Sequence, residues 1–113
     1  MNTIDFVKTD LYDMACHQGV TFSVDLAVTE ACTGLPDDLQ GYSAELLVYD
    51  ANVTDDIATV TGTISAPATG VVTFVISAHD TADLDVGLYS HTINLTIGST
   101  VYRVAQGAFE VLQ

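Results

Sequence analysis

Positive charge is nearly absent from this chain. Lys8 and Arg103 stand alone against fifteen acidic residues, giving a net charge of −13 at pH 7 over 113 residues. Nucleic-acid affinity is built mainly from Lys and Arg neutralising phosphates, so the composition argues against direct DNA or RNA binding. Anionic membrane surfaces are disfavoured for the same reason. Tryptophan is missing and aromatic residues make up only 8%, which weakens any stacking platform for sugars or bases. No apolar run approaches the roughly 18–20 residues of a membrane-spanning helix. The N-terminal stretch MNTIDFVKTDLYD has no basic segment followed by an apolar one. No signal peptide is expected, and synthesis in a cytoplasm is.

Cysteine is scarce too. Cys16 and Cys32 flank an alternating run over 20–28. Extended at about 3.3 Å per residue, that run separates its ends by roughly 30 Å. A disulfide needs Cα atoms within about 7 Å, so two small buried thiols are expected instead of a bridge.

Apolar residues, by contrast, are plentiful at 49%, enough for a packed core rather than disorder. The length suits one domain, expected to cover 1–113. Three readings of the acidity stand side by side: solubility in a salty medium, attraction to a basic partner, and divalent-cation binding.

The clearest pattern lies in the stretch HDTADLDVGLYSHTINLTI from His79. It predicts an acidic loop, Gly87, Tyr89 and then one strand. Tyr89, His91, Ile93, Leu95 and Ile97 fall on a dry face, and Ser90, Thr92, Asn94 and Thr96 on a wet one. Upstream, Ile4, Phe6 and Val7 predict a partly irregular edge strand over 4–11, followed by a connection over 14–19. Val20, Phe22, Val24, Leu26 and Val28 predict the next strand, and the turn formers of 30–40 a loop. From Gly41, the residues Tyr42, Ala44, Leu46 and Val48 share one face while Leu47 and Tyr49 make the other apolar, so this strand is expected to be central or covered. A turn over 50–56 leads to a Thr-rich strand over 57–65, suited to a sheet edge. Pro67 and Gly70 delimit the link to a strand over 71–77. Gly98-Ser99 predicts a two-residue hairpin, and Gly107 a β-bulge in the last strand, 100–112.

These segments amount to about seven strands with no amphipathic helix, an all-β antiparallel sandwich. Tyr89 at the start of the penultimate strand matches the tyrosine corner of immunoglobulin-like folds, where the phenol bonds back to a loop backbone group. An ordinary core tyrosine is the alternative.

Chemistry is hard to find. His17, His79 and His91 share no paired spacing with another His or Cys, as a structural zinc site would need; a solvent-tipped or hydrogen-bonded role is expected for each. Asp37-Asp38, Asp50 with Asp55-Asp56, and Asp80, Asp83 and Asp85 could converge on calcium, but none follows the ligand rhythm of a calcium loop. Asp80 could equally cap a single helical turn. No serine sits in a nucleophile elbow. The sequons at Asn52 and Asn94 are read as chance matches. No catalytic residue, cofactor or metal is assigned.

One larger pattern is familiar. Gly41-Tyr42, then Gly70-x-Val72-x-Phe74-x-Ile76-x-Ala78-x-x-Thr81, then Gly87-x-Tyr89, then Gly107-x-Phe109-x-Val111 resembles a group of tailed-phage virion proteins with immunoglobulin-like sandwich domains. The group includes baseplate upper protein N-terminal domains and small capsid decoration proteins. The motifs are loose, and Gly87, Tyr89 and Gly107 are fold-keeping positions in them. The baseplate proteins carry a long further region, whereas this sequence ends at Gln113, which favours a small subunit acting through its surface.

The resemblance implies a non-enzymatic virion protein, made in the host cytoplasm. The expected role is capsid decoration: binding the major capsid protein or another virion protein outside the shell, as a homo-oligomer, and stabilising the shell by mass action. A tail, neck or baseplate accessory is the alternative, and a calcium- or carbohydrate-binding module a second one. The expected contact residues are Thr3 and Phe6 in the N-terminal segment, Leu35, Asp37 and Asp38 in one loop, Asn52 and Asp55 in another, and Thr59, Thr61 and Thr63 on the Thr-rich strand.

Overall fold

Alternation along each segment becomes pairing between segments, and the pairs form two facing sheets. The structure is a computed structural model that describes residues 2–5, 10–11, 13–29, 35, 38–50 and 56–113, with the backbone course alone for 2–5, 10–11 and 56. In chain order the strands are β1 (Asn2–Asp5), β2 (Asp10–Leu11), β3 (Met14–His17), β4 (Phe22–Thr29), β5 (Ser43–Tyr49), β6 (Asp56–Thr61), β7 (Val71–Ile76), β8 (Gly87–Ile97) and β9 (Thr100–Leu112). One helical turn, α1 (Ala78–Ala82), links β7 to β8, and a 3-10 turn at Pro67–Thr69 precedes β7.

The smaller sheet has the order β1-β4-β7; the larger runs β2-β9-β8-β5-β6, with β3 also against β9. The all-β sandwich expected from the sequence is therefore what the chain forms. Its body is antiparallel, while β1, β2 and β3 join it in parallel. The single edge strand expected over 4–11 is instead divided: β1 lies on β4 in the small sheet and β2 on β9 in the large one. The expected connection over 14–19 contains a strand, with Met14 opposite Phe109 and His17 opposite Leu112. Met14 and Cys16 are buried and Ala15 and His17 exposed, an alternation too short to stand out in the sequence.

The chain also crosses between the sheets after β6. The Gly62 amide donates to the Ala44 carbonyl oxygen at 2.8 Å, still in the large sheet, and Thr63 then exchanges two backbone bonds of 2.8 and 2.9 Å with Thr73 in the small one. A Cβ on Gly62 would lie 2.8 Å from side-chain atoms of Phe74 and Val72 and 2.9 Å from that of Ala44. Only a residue without a side chain lets the backbone pass so close to the core.

The core is built from the inward phases. Leu26, Val28, Leu46, Val48, Val72, Phe74, Ile93, Leu95 and Phe109 are all at most 1% exposed. Each contributes roughly 1.5–3 kcal/mol by leaving water. Phe22 meets Phe109 edge to face, with ring centroids 5.6 Å apart. Leu39, read as part of a loop, is buried at one end of the sandwich, where its amide donates to the Pro67 carbonyl oxygen at 2.9 Å.

The strand β5 lies between β8 and β6, as its two apolar faces predict, and Gly98-Ser99 closes the β8–β9 hairpin. The bulge expected at Gly107 is elsewhere. Gly107 stands in regular register opposite His91, whereas the pairing slips between Ile93↔Ala105 and Asn94↔Arg103, leaving Val104 as the extra residue. Val104 and Ala105 are consecutively buried, so the inward phase of β9 changes there. Glycine is common at bulges but does not specify one; the extra residue is Val104, and the change of phase follows from it.

Candidate interaction surface

Two ends of the sandwich differ in chemistry. One carries the β8–β9 hairpin tip, the link into β5 and the link into β7; there Tyr42 and Tyr102 lie with ring centroids 6.5 Å apart, and Ile97, Val101 and Tyr102 are exposed. The other carries the turn after β3, the start of β6, and α1 with its link to β8.

The α1 end follows from local sequence. Ser77 caps the helical turn by accepting a bond from the Asp80 amide at 3.2 Å. The turn was anticipated with Asp80 as its cap; Ser77 takes that role because it precedes the first helical residue. Thr81 is fully buried, its hydroxyl 3.0 Å from the Val20 carbonyl oxygen and 3.1 Å from that of Ala78. The Gln18 side-chain amide donates to the Leu84 carbonyl oxygen at 2.6 Å. These bonds fasten α1 over the end of the core.

Tyr89 forms the corner that the sequence suggested, its hydroxyl donating to the Asp85 carbonyl oxygen at 2.8 Å. Burial, and then the carboxylates of Asp85 and Asp50, push the phenol above its ordinary value. Asp50 and Asp85, far apart in the sequence, thus bear on one residue at this end.

His79, Asp80 and Asp83 each present one ligand atom within 4.8 Å of the others. All three are exposed, and the His79–Asp83 contact, Nε2 to Oδ2, is 3.9 Å long. Exposed acidic groups gather without an ion, so this cluster is read as a solvated helical turn. His91, expected to be solvent-tipped or hydrogen-bonded, is completely buried between Val48 and Gly107 in the strand register. His17 is exposed next to Cys16, which is a free, buried thiol. Burial pushes that thiol up, opposite to what a thiolate nucleophile needs.

The expected contact residues fall in different places. Thr59 and Thr61 are exposed on β6, and Thr63 is exposed at the crossing to β7. Leu35 is 62% exposed. The exposed Asp38 carboxylate accepts from the Gln40 amide at 3.0 Å, a turn-forming role. The backbone of Thr3 pairs with Ala27 in the small sheet. Phe6, Asp37, Asn52 and Asp55, like Cys32, lie outside the described residues. The structure places Thr59 and Thr61 on one edge, carries Thr63 past it into a pairing with Thr73, and puts Leu35 and Asp38 in a separate connection.

Sequence reading missed the slot beside that edge. Just beyond β6 the chain pairs with β7 at Thr63 and Thr73; β6 itself stands apart from β7 toward α1, leaving a slot of about 320 Å³. Ala58, Val60, Ile76 and Leu84 line it, with the exposed Asp80 and Asp83 alongside. The small apolar residues at alternate positions of the Thr-rich strand were its only local signal.

No family model matches the chain, and no curated protein matches it. Among solved structures, it is similar to the N-terminal domain of phage TP901-1 ORF48, with a TM-score of 0.63 and 12% sequence identity. The match covers 98% of this chain and 95% of that one. At that identity the likeness is one of fold, and it extends along nearly the whole chain.

Proposed function

We propose that this chain is a non-enzymatic structural protein of a tailed-phage particle, acting as a docking domain in its tail or baseplate. The observation that carries the reading is the chain-long likeness to a phage N-terminal domain, 98% of one chain against 95% of the other. It agrees with the independent resemblance of the glycine and aromatic motifs to baseplate upper protein N-terminal domains. The Tyr89–Asp85 bond supports the immunoglobulin-like part of that resemblance. A net charge of −13 favours a protein partner with a basic face over packaged DNA. Self-association about a symmetry axis would set the copy number.

Capsid decoration, the role ranked first from the sequence, becomes the second reading. It rests on the resemblance to small decoration proteins.

The test is quantitative mass spectrometry on particles of the phage or prophage that encodes the chain, after separating heads from tails. Recovery with tails in low copy supports the tail reading. Recovery with heads, at copy numbers comparable to the shell protein, moves the assignment to decoration. Absence from both fractions overturns it.

A further inference from the structure

We infer that the outer edge of β6, together with the slot against α1, is a strand-addition site for an extended, basic segment of a different protein. This deepens the docking role proposed above and rests on it.

The backbone register identifies the free groups. In antiparallel pairs, alternate residues turn their amides toward the partner strand. Gly62 donates to Ala44, and Val60 and Ala58 stand opposite Leu46 and Val48, so these three face β5. The amides and carbonyls of Thr59 and Thr61 therefore point away from it. Among the described residues β6 pairs with β5 alone. Beyond Thr61 the chain is covered, because Thr63 pairs with Thr73. The open edge is short and ends at a closed seam.

Side chains beneath the edge select the occupant. A strand laid along β6 places alternate residues over Ala58, Val60, Ile76 and Leu84 in the slot, which suits small or β-branched apolar side chains. Asp80 and Asp83 line the same slot, and Asp50 and Asp85 lie at the same end through their shared influence on Tyr89. This surroundings is acidic and calls for Lys or Arg at the partner's outward positions. A second copy fits poorly. It brings another net charge of −13, with two basic residues in the whole chain, against the same carboxylates.

The experiment uses the purified chain and a capped synthetic peptide of alternating valine and lysine, with an alternating valine–glutamate peptide as control. Amide hydrogen exchange is followed residue by residue. Binding of the lysine peptide is expected to slow exchange at Thr59 and Thr61, leaving Val60 as it was. Thr59→Pro removes an outward amide and obstructs an added strand without costing a native bond; affinity is expected to fall about tenfold or more. Asp80→Asn with Asp83→Asn is expected to weaken binding several-fold at low salt and flatten its salt dependence.

Unchanged exchange at Thr59 and Thr61 overturns the inference, whether or not the peptide sticks to the acidic end. So does equal binding of the glutamate peptide, or a dimer of the chain that Thr59→Pro dissolves. Because the wild-type exchange pattern is itself a readout, failure of Thr59→Pro to fold leaves the test intact. No particle is needed either. A chain present in tails whose Thr59→Pro variant is incorporated normally overturns the edge and spares the docking role, while strand addition by a chain absent from particles does the reverse.

Discussion

The Tyr89 hydroxyl donates a 2.8 Å hydrogen bond to the carbonyl oxygen of Asp85, four residues earlier. The bond pins the link from α1 to β8, where the chain passes from the small sheet to the large one. Tyr89→Phe keeps the ring and removes the donor. It is expected to destabilise the fold by about 0.5–1.5 kcal/mol, read as a lower midpoint in urea with an unchanged slope.

The same phenol makes stability depend on pH. Its value is raised in the folded state by burial and by Asp85 and Asp50, so the folded chain holds the proton more tightly than the unfolded one. The associated stability is complete below the unfolded value of 10.0 and is lost as pH rises through the higher folded value. Urea midpoints are expected to fall across this alkaline window in the wild type and to fall less in Tyr89→Phe.

Gly62 is expected to tolerate nothing larger. The Cβ of Gly62→Ala would sit 2.8 Å from side-chain atoms of Phe74 and Val72, and overpacking of that kind costs about 1–3 kcal/mol. Gly98→Ala, at the hairpin tip with open space around the added carbon, serves as the comparison: its cost arises from a φ of 57°, not from packing. Thermal unfolding of both variants separates the two causes.

Phe109 is one of the two largest fully buried side chains of the core, with Phe74. It is completely buried and meets Phe22 edge to face. Phe109→Ala is expected to cost about 3–5 kcal/mol, a large share of the roughly 5–15 kcal/mol that holds a domain together. Calorimetry should show a strongly lowered transition or none.

Cys16 is expected to resist thiol reagents in the native state, because it is 3% exposed and burial raises its thiol. Peptide mapping after iodoacetamide distinguishes it from Cys32. Rapid native labelling of Cys16 would contradict its burial.

Sequence by itself determined the phase of β4 and β5. Side chains alternate across a strand, so Ala44, Leu46 and Val48 could be assigned to the core, β5 to the interior of a sheet, Gly98-Ser99 to a hairpin and Tyr89 to its corner from neighbouring residues alone. The acidic surface was equally legible. Tertiary structure decided what depends on distant partners: the division of the N-terminal segment between two sheets, the strand Met14–His17, the bulge at Val104 and the passage at Gly62. A short segment such as Met14–His17 has too few residues to display a period, and it becomes a strand because β9 offers an edge almost a hundred positions away. The slot between β6 and α1 has the same origin. Ala58 and Val60 look ordinary in their strand, and only the divergence of β6 from β7 leaves them beside Ile76, Leu84, Asp80 and Asp83, under an edge that among the described residues pairs with β5 alone.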